Sequence, residues 1–188
     1  MKIIYNDGHV DECPKEEELH VIRHSAAHIM AQAIQRLYPD AKFAYGPANE
    51  KGFHYDVDLG DAKLSEDDLA KIEQEMKKIT KENLPIKSFI LPRDEAIKLM
   101  KDRGEIYKVE HIDDLPADAQ ISFYQQGDYI DMCTGPHLCY TKALKAFKIM
   151  SVSGAYWKND KNNTMLTRVN GIAFGSNQEL EDYLKLLE

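Results

Sequence analysis

His24 and His28 lie four residues apart, and far along the chain so do Cys133 and His137. Ser25-Ala26-Ala27 between the first pair favours helix, where residues four apart share a face. Gly135-Pro136 between the second pair imposes a turn, so Cys133 and His137 converge from a loop. Three imidazoles and a thiol suit three chemistries, and spacing alone does not rank them. They are zinc ligands by type, closing a structural site if all four bind or a catalytic one if a ligand stands off for water. Without metal, imidazoles orient and deprotonate a water near neutral pH. A Cys133 nucleophile assisted by His24 or His137 is the third. The first pair has no glutamate after His24 and none before His28, which argues against the metalloprotease motifs.

The elements around these residues constrain them further. From Leu19 to Tyr38 the apolar residues Leu19, Ile22, Ala26, Ile29, Ala33 and Leu37 fall on one helical stripe. His24 and His28 fall roughly opposite, beside the small Ala27 and Ala31, where another group can approach closely. Glu16-Glu17-Glu18 opens this helix favourably for its dipole and Pro39 stops it.

The chain has 188 residues, 43% of them hydrophobic, enough for one domain with a core. We expect residues 1–17 to form a short extension or hairpin and 18–188 the main domain. No apolar run approaches the ~20 residues of a membrane span and no signal peptide opens the chain. Three cysteines, Cys13, Cys133 and Cys139, are too few and too unevenly spaced for a disulfide framework, and fit a cytoplasmic protein.

The net charge of −8 is unevenly spread. Lys142, Lys145, Lys148, Lys158, Lys161 and Arg168 face only Asp160 between residues 140 and 170. Tyr156 and Trp157 adjoin Lys158, a combination that suits an unpaired nucleic-acid strand.

The remaining pattern predicts a hairpin over Lys2–Val10 turning at Asn6-Asp7-Gly8, and a strand from Phe53 to Leu59. A helix capped by Ser65 and Asp68 follows, with the stripe Leu69, Ile72, Met76 and Ile79. Next come a strand from Ile86 to Leu91, a helix from Asp94 to Arg103 and a strand from Ile106 to Ile112. Strands at Ile121–Tyr124 and Tyr129–Met132 pair across Gln126-Gly127. Further strands span Phe147–Ser153 and Thr164–Val169, the latter turning at Asn170-Gly171 into Ile172-Ala173-Phe174. Gln178 to Leu187 closes the chain as a helix. This mix predicts an α+β fold, a two-layer arrangement of a largely antiparallel sheet packed with helices.

In chain order, His24-Ser-Ala-Ala-His28, Gly46-Pro47, Gly52-Phe53-His54-Tyr55-Asp56, Arg103-Gly104-Glu105-x-Tyr107-Lys108, Asp131-Met132-Cys133-x-Gly135-Pro136-His137 and Gly154-Ala155-Tyr156-Trp157 resemble the editing domain of the threonyl-tRNA synthetases. That module is shared with the alanyl enzymes. The resemblance runs from about Glu18 to the end of the chain. His54 stands where the family more often has an aromatic residue.

The resemblance implies the editing-domain fold and hydrolysis of seryl-tRNA mischarged on tRNA(Thr). It implies that His24, His28, Lys108, Cys133 and His137 are the catalytic set and that Gly46, Tyr55 and Asp131 hold substrate. His24, His28, Cys133 and His137 would be the zinc ligands, should zinc bind; no cofactor is required. The implied partners are the tRNA(Thr) acceptor end, met by Lys142, Lys145, Lys148, Tyr156, Trp157, Lys158 and Arg168, and the catalytic core of a longer synthetase. Nothing here resembles that ATP-using core, so the chain reads as a module cut from a longer enzyme. Two other readings stand beside it: a zinc-dependent small-molecule enzyme of the S-ribosylhomocysteine lyase type, and an RNA-binding module without activity.

Overall fold

Residues 18–37 contain no glycine or proline, and α1 (Glu18–Leu37) runs unbroken through them until Tyr38, the residue before Pro39. The computed structural model describes residues 1–49 and 52–188. From Val21 to Ile34 every α1 residue except His24 is buried, whereas Leu19 and Leu37, at the ends of the expected stripe, are 38% and 37% exposed. The helix is therefore not two-faced. It is central, and its alanines let strands and a second helix close on it from several sides.

Among the described residues every strand pair is antiparallel, in three sheets, and the fold is α+β. The largest has the order β3 (Lys42–Tyr45), β4 (Phe53–Asp58), β10 (Met165–Phe174), β9 (Ala146–Tyr156), with α1 across β4 and β10. The second joins β5 (Ile86–Pro92), β6 (Gln120–Gln126) and β7 (Tyr129–Met132). The third places β1 (Lys2–Ile4) between β2 (Val10–Glu12) and β8 (His137–Leu138), with Ile4 opposite His137. Ile3 is fully buried, so the first strand is part of the main core.

Helix α2 (Glu66–Glu82) starts with the expected Ser65–Asp68 capping box and buries Leu69, Ile72, Met76 and Ile79. Helix α3 (Arg93–Asp102) packs on β5 and β6, and α5 (Asn177–Leu186) closes the chain. Among the described residues no helix is long and apolar enough to cross a membrane.

Three features differ from the sequence reading: two expectations are corrected, and one strand was not expected at all. Ile106–Asp113 is a helix, α4, not a strand. Its β-branched and aromatic residues suggest extended chain, but a strand would send Tyr107 and Lys108 to opposite faces. The helix buries both, Tyr107 against Ala44 and Leu166, and leaves Ile106 58% exposed. Second, β3 had no recognisable alternation in its four residues, and it emerges only because β4 offers it an edge. Third, Asn170-Gly171 is no turn. β10 continues through it with a register shift against β9, and the Phe53 ring covers the Gly171 Cα. A Cβ on Gly171 would lie 2.5–3.0 Å from three atoms of that ring. Gly171→Ala should therefore destabilise the protein by about 1–3 kcal/mol, read as a lower urea midpoint with unchanged slope.

Candidate active site

Four ligand-type atoms, one each from His24, His28, Cys133 and His137, lie within 4.8 Å of one another. Helix α1 supplies the first two, Cys133 comes from the link between β7 and β8, and His137 is the first residue of β8. Cys133 Sγ sits 3.3 Å from His24 Nε2 and 3.3 Å from His137 Nε2, and accepts the Gly135 N–H at 3.2 Å. Gly135 has φ +68° and packs under the Tyr124 hydroxyl, where a side chain has no room. Ser25 Oγ lies 2.9 Å from His137 Nδ1.

Burial pushes the His24 imidazole down to about 3, aided by His28 and His20. Burial likewise lowers His28 to about 4, outweighing Asp131. His137 is held well below the usual range by burial and then by its two histidine neighbours. Burial pushes the Cys133 thiol up to about 12, against the Gly135 N–H. This end of the site is therefore neutral at physiological pH: three bases and a protonated thiol.

Beside it stands a charged group. Asp131, 1% exposed, accepts the Tyr55 hydroxyl at 2.6 Å and the Tyr129 hydroxyl at 2.7 Å on Oδ2. Lys108 Nζ lies 2.8 Å from Asp131 Oδ1 and donates to the Tyr55 hydroxyl at 2.9 Å. Oδ1 has that ammonium beside it but accepts no directed hydrogen bond among the described residues, so it retains acceptor capacity. Burial works against the carboxylate, yet Lys108 and His28 hold Asp131 below the usual range. His28 Nε2, 3.6 Å from Asp131 Oδ2, links the two groups.

His24, His28 and Cys133 from the first group and Tyr55, Lys108 and Asp131 from the second line one cleft of about 580 Å³, with His20, Gly46, Pro47 and Ser122, while His137 and Tyr129 lie behind its wall. At Gly46 the space for a Cβ is filled by the Tyr55 ring, so glycine lets the backbone lie on that ring. The residues expected at the nucleic acid do not line this cleft. Arg168 makes a two-pronged pair with Asp56 at 2.8 and 3.0 Å. Lys158 pairs with Asp114 at 2.8 Å and Glu110 at 3.1 Å, and Trp157 Nε1 donates to Glu110. Tyr156 is 40% exposed. Lys142, Lys145 and Lys148 are exposed and make no ion pair among the described residues; the last two border a separate groove with Glu73, Lys77 and Lys81.

Tetrahedral zinc with two kinds of donor needs donor–donor separations of about 3.3–3.7 Å. The two 3.3 Å sulfur–nitrogen distances fit it, whereas the four donors spread over up to 4.8 Å and would have to draw together; binding would displace the thiol proton.

Sequence reasoning missed Ser25, Tyr129 and Glu105. Tyr129 was within reach, because Tyr129 and Asp131 alternate onto one face of β7. Ser25 carried no signal beyond its place beside His24.

The chain also has known relatives. Residues 121–170, which include Asp131, Cys133 and His137, match the family described as the threonyl and alanyl tRNA synthetase second additional domain. Residues 121–170 belong to that second additional domain. Threonine--tRNA ligase of Clostridioides difficile (strain 630) is 59% identical over 173 residues, 92% of this chain and 27% of that protein. That of Clostridium tetani (strain Massachusetts / E88) is 56% identical over the same shares. That of Clostridium novyi (strain NT) is 52% identical over 190 residues, 100% of this chain and 30% of that protein. The chain thus spans under a third of the length of these ligases.

Upstream of the matched segment, Glu105 titrates in an informative range. It precedes α4, is 6% exposed and accepts the Phe43 N–H at 3.2 Å. Burial raises it to about 7. The folded state then holds a proton between about pH 4.5 and 7 that the unfolded state has lost. Its stabilising contribution is full below the unfolded value and disappears as pH rises through about 7. Glu105→Gln should gain on the natural protein by up to about 3 kcal/mol between pH 5 and pH 8, read from paired urea titrations. A difference independent of pH would refute the assignment.

Proposed function

We propose that this chain is the editing module of a threonine–tRNA ligase, hydrolysing serine from mischarged tRNA(Thr). The observation that carries this is one cleft holding neutral imidazoles against a buried Lys108–Asp131 pair. Serine lacks one methyl of threonine, worth only about 1–3 kcal/mol of discrimination, so a second pocket that admits serine and excludes the larger residue corrects the error. Asp131 Oδ1 anchors the serine ammonium, and the Gly46 backbone lies along the amino acid. His24 or His28 takes a proton from water as its oxygen attacks the ester carbonyl, and Lys108 stabilises the developing oxyanion. The bond to the terminal ribose oxygen breaks and that oxygen takes the proton back.

Zinc on His24, His28, Cys133 and His137 would supply a Lewis acid, but with all four donors bound it would have no position for water. We assign the reaction to the protein's own groups. Purified protein should deacylate seryl-tRNA(Thr), spare threonyl-tRNA(Thr), and keep its rate after chelation with metal content verified. His24→Ala, His28→Ala or Lys108→Met should each slow the reaction by ~10²-fold or more. Equal rates for all three variants and the natural protein, or activity that vanishes with zinc and returns on its addition, would count against this mechanism.

The same reading assigns the acceptor stem to the exposed lysines and the rest of a synthetase to the module's surroundings in the cytoplasm. Lys142, Lys145 and Lys148 changed together to Gln should weaken tRNA binding and flatten its salt dependence by about one unit of slope per lost phosphate contact. An unchanged slope would place these lysines in solvent only.

A further inference from the structure

Ser25 lies between the two helical histidines, is fully buried, and touches two groups of the β8 edge. The Leu138 backbone N–H donates to Ser25 Oγ at 2.9 Å, and a backbone amide has no other role. The hydroxyl retains one proton. Its other polar neighbour among the described residues is His137 Nδ1, also at 2.9 Å. Leaving a buried O–H without an acceptor costs about 1–3 kcal/mol, so the hydroxyl donates to Nδ1. Partners whose donor roles are fixed settle an imidazole's tautomer, and here Nδ1 is the acceptor.

The assignment propagates. With Nδ1 accepting, the single proton of neutral His137 is on Nε2, 3.3 Å from Cys133 Sγ. The sulfur then accepts from His137 and from Gly135, and the direction left for its own proton is His24 Nε2, 3.3 Å away. We propose that Ser25 is a positioning residue whose hydroxyl fixes the proton of His137 on Nε2 and thereby orders His137, Cys133 and His24 in one donor-to-acceptor sequence. Both nitrogens of His137 are then engaged inside the protein, and it is not the base that takes a proton from water. Cys133 is not the nucleophile, because its proton is directed at His24 Nε2. With Nδ1 protonated and Nε2 engaged, His24 is not the base either, which leaves His28 to take the proton from water. The tautomer assignment stands by itself; its effect on rate rests on the editing reaction proposed above.

Long-range nitrogen–proton NMR of the chelated protein, metal content verified, separates protonated from bare imidazole nitrogens. In the natural protein His137 should be the Nε2–H tautomer and His24 the Nδ1–H tautomer. Ser25→Ala should shift His137 towards Nδ1–H or a mixture, and Ser25→Thr, which keeps the hydroxyl, should preserve Nε2–H. In seryl-tRNA deacylation Ser25→Ala should lower kcat by about 10- to 100-fold with KM unchanged, as for other residues that orient a functional imidazole. Nδ1–H on His137 in the natural protein overturns the proposal without any variant. So does a Ser25→Ala protein with an unaltered tautomer. If the natural protein hydrolyses no seryl ester, the editing reading fails while the tautomer still decides the role of Ser25.

Discussion

Lys108 and Asp131 form a buried ion pair, and most of the architecture around the cleft follows from what that pair demands. Desolvating two charges costs several kcal/mol each unless geometry and further hydrogen bonds compensate. The compensation comes from Tyr55 on β4 and Tyr129 on β7, both donating to Asp131 Oδ2. Four groups from α4, β4 and β7 must therefore meet within hydrogen-bond distance. They do so because α4 is anchored twice, through the Tyr107 hydroxyl on Asp58 and through Glu105 on the Phe43 amide.

Next to this charged half lies a half kept neutral by the same burial. Desolvation disfavours every charged form, so it lowers the imidazoles and raises the thiol together. A carboxylate and an ammonium persist a few ångströms away because they have each other. The cleft thus offers proton acceptors without a competing field of positive imidazoles, and a single fixed cation aimed at whatever negative charge develops. That division of labour suits ester hydrolysis, and it needs no residue to change its charge before substrate arrives.

The histidine pair and the Cys133–His137 turn were legible in the sequence because local rules govern them: helix periodicity in one case, Gly-Pro in the other. The capping box at Ser65 and the stripe of α2 were legible for the same reason. Lys108 was visible only as part of a motif, since its helix reads as a strand in isolation; what decides its state is the burial of both Tyr107 and Lys108, a tertiary fact. The division of the basic residues was also invisible. Arg168 and Lys158 look like Lys145 in the sequence, yet partners 112 and 44 residues away neutralise the first two. Local patterning describes elements, and it is silent on which charges long-range folding will satisfy.

Strand β1 pairs with β8 so that Ile4 lies against His137, and the Ile4 carbonyl also receives the Tyr124 hydroxyl. The first five residues thereby buttress the loop that carries Cys133 and His137. His137 is itself a β8 residue in that pairing, so the position of its backbone is tied to a strand at the opposite end of the chain's sequence.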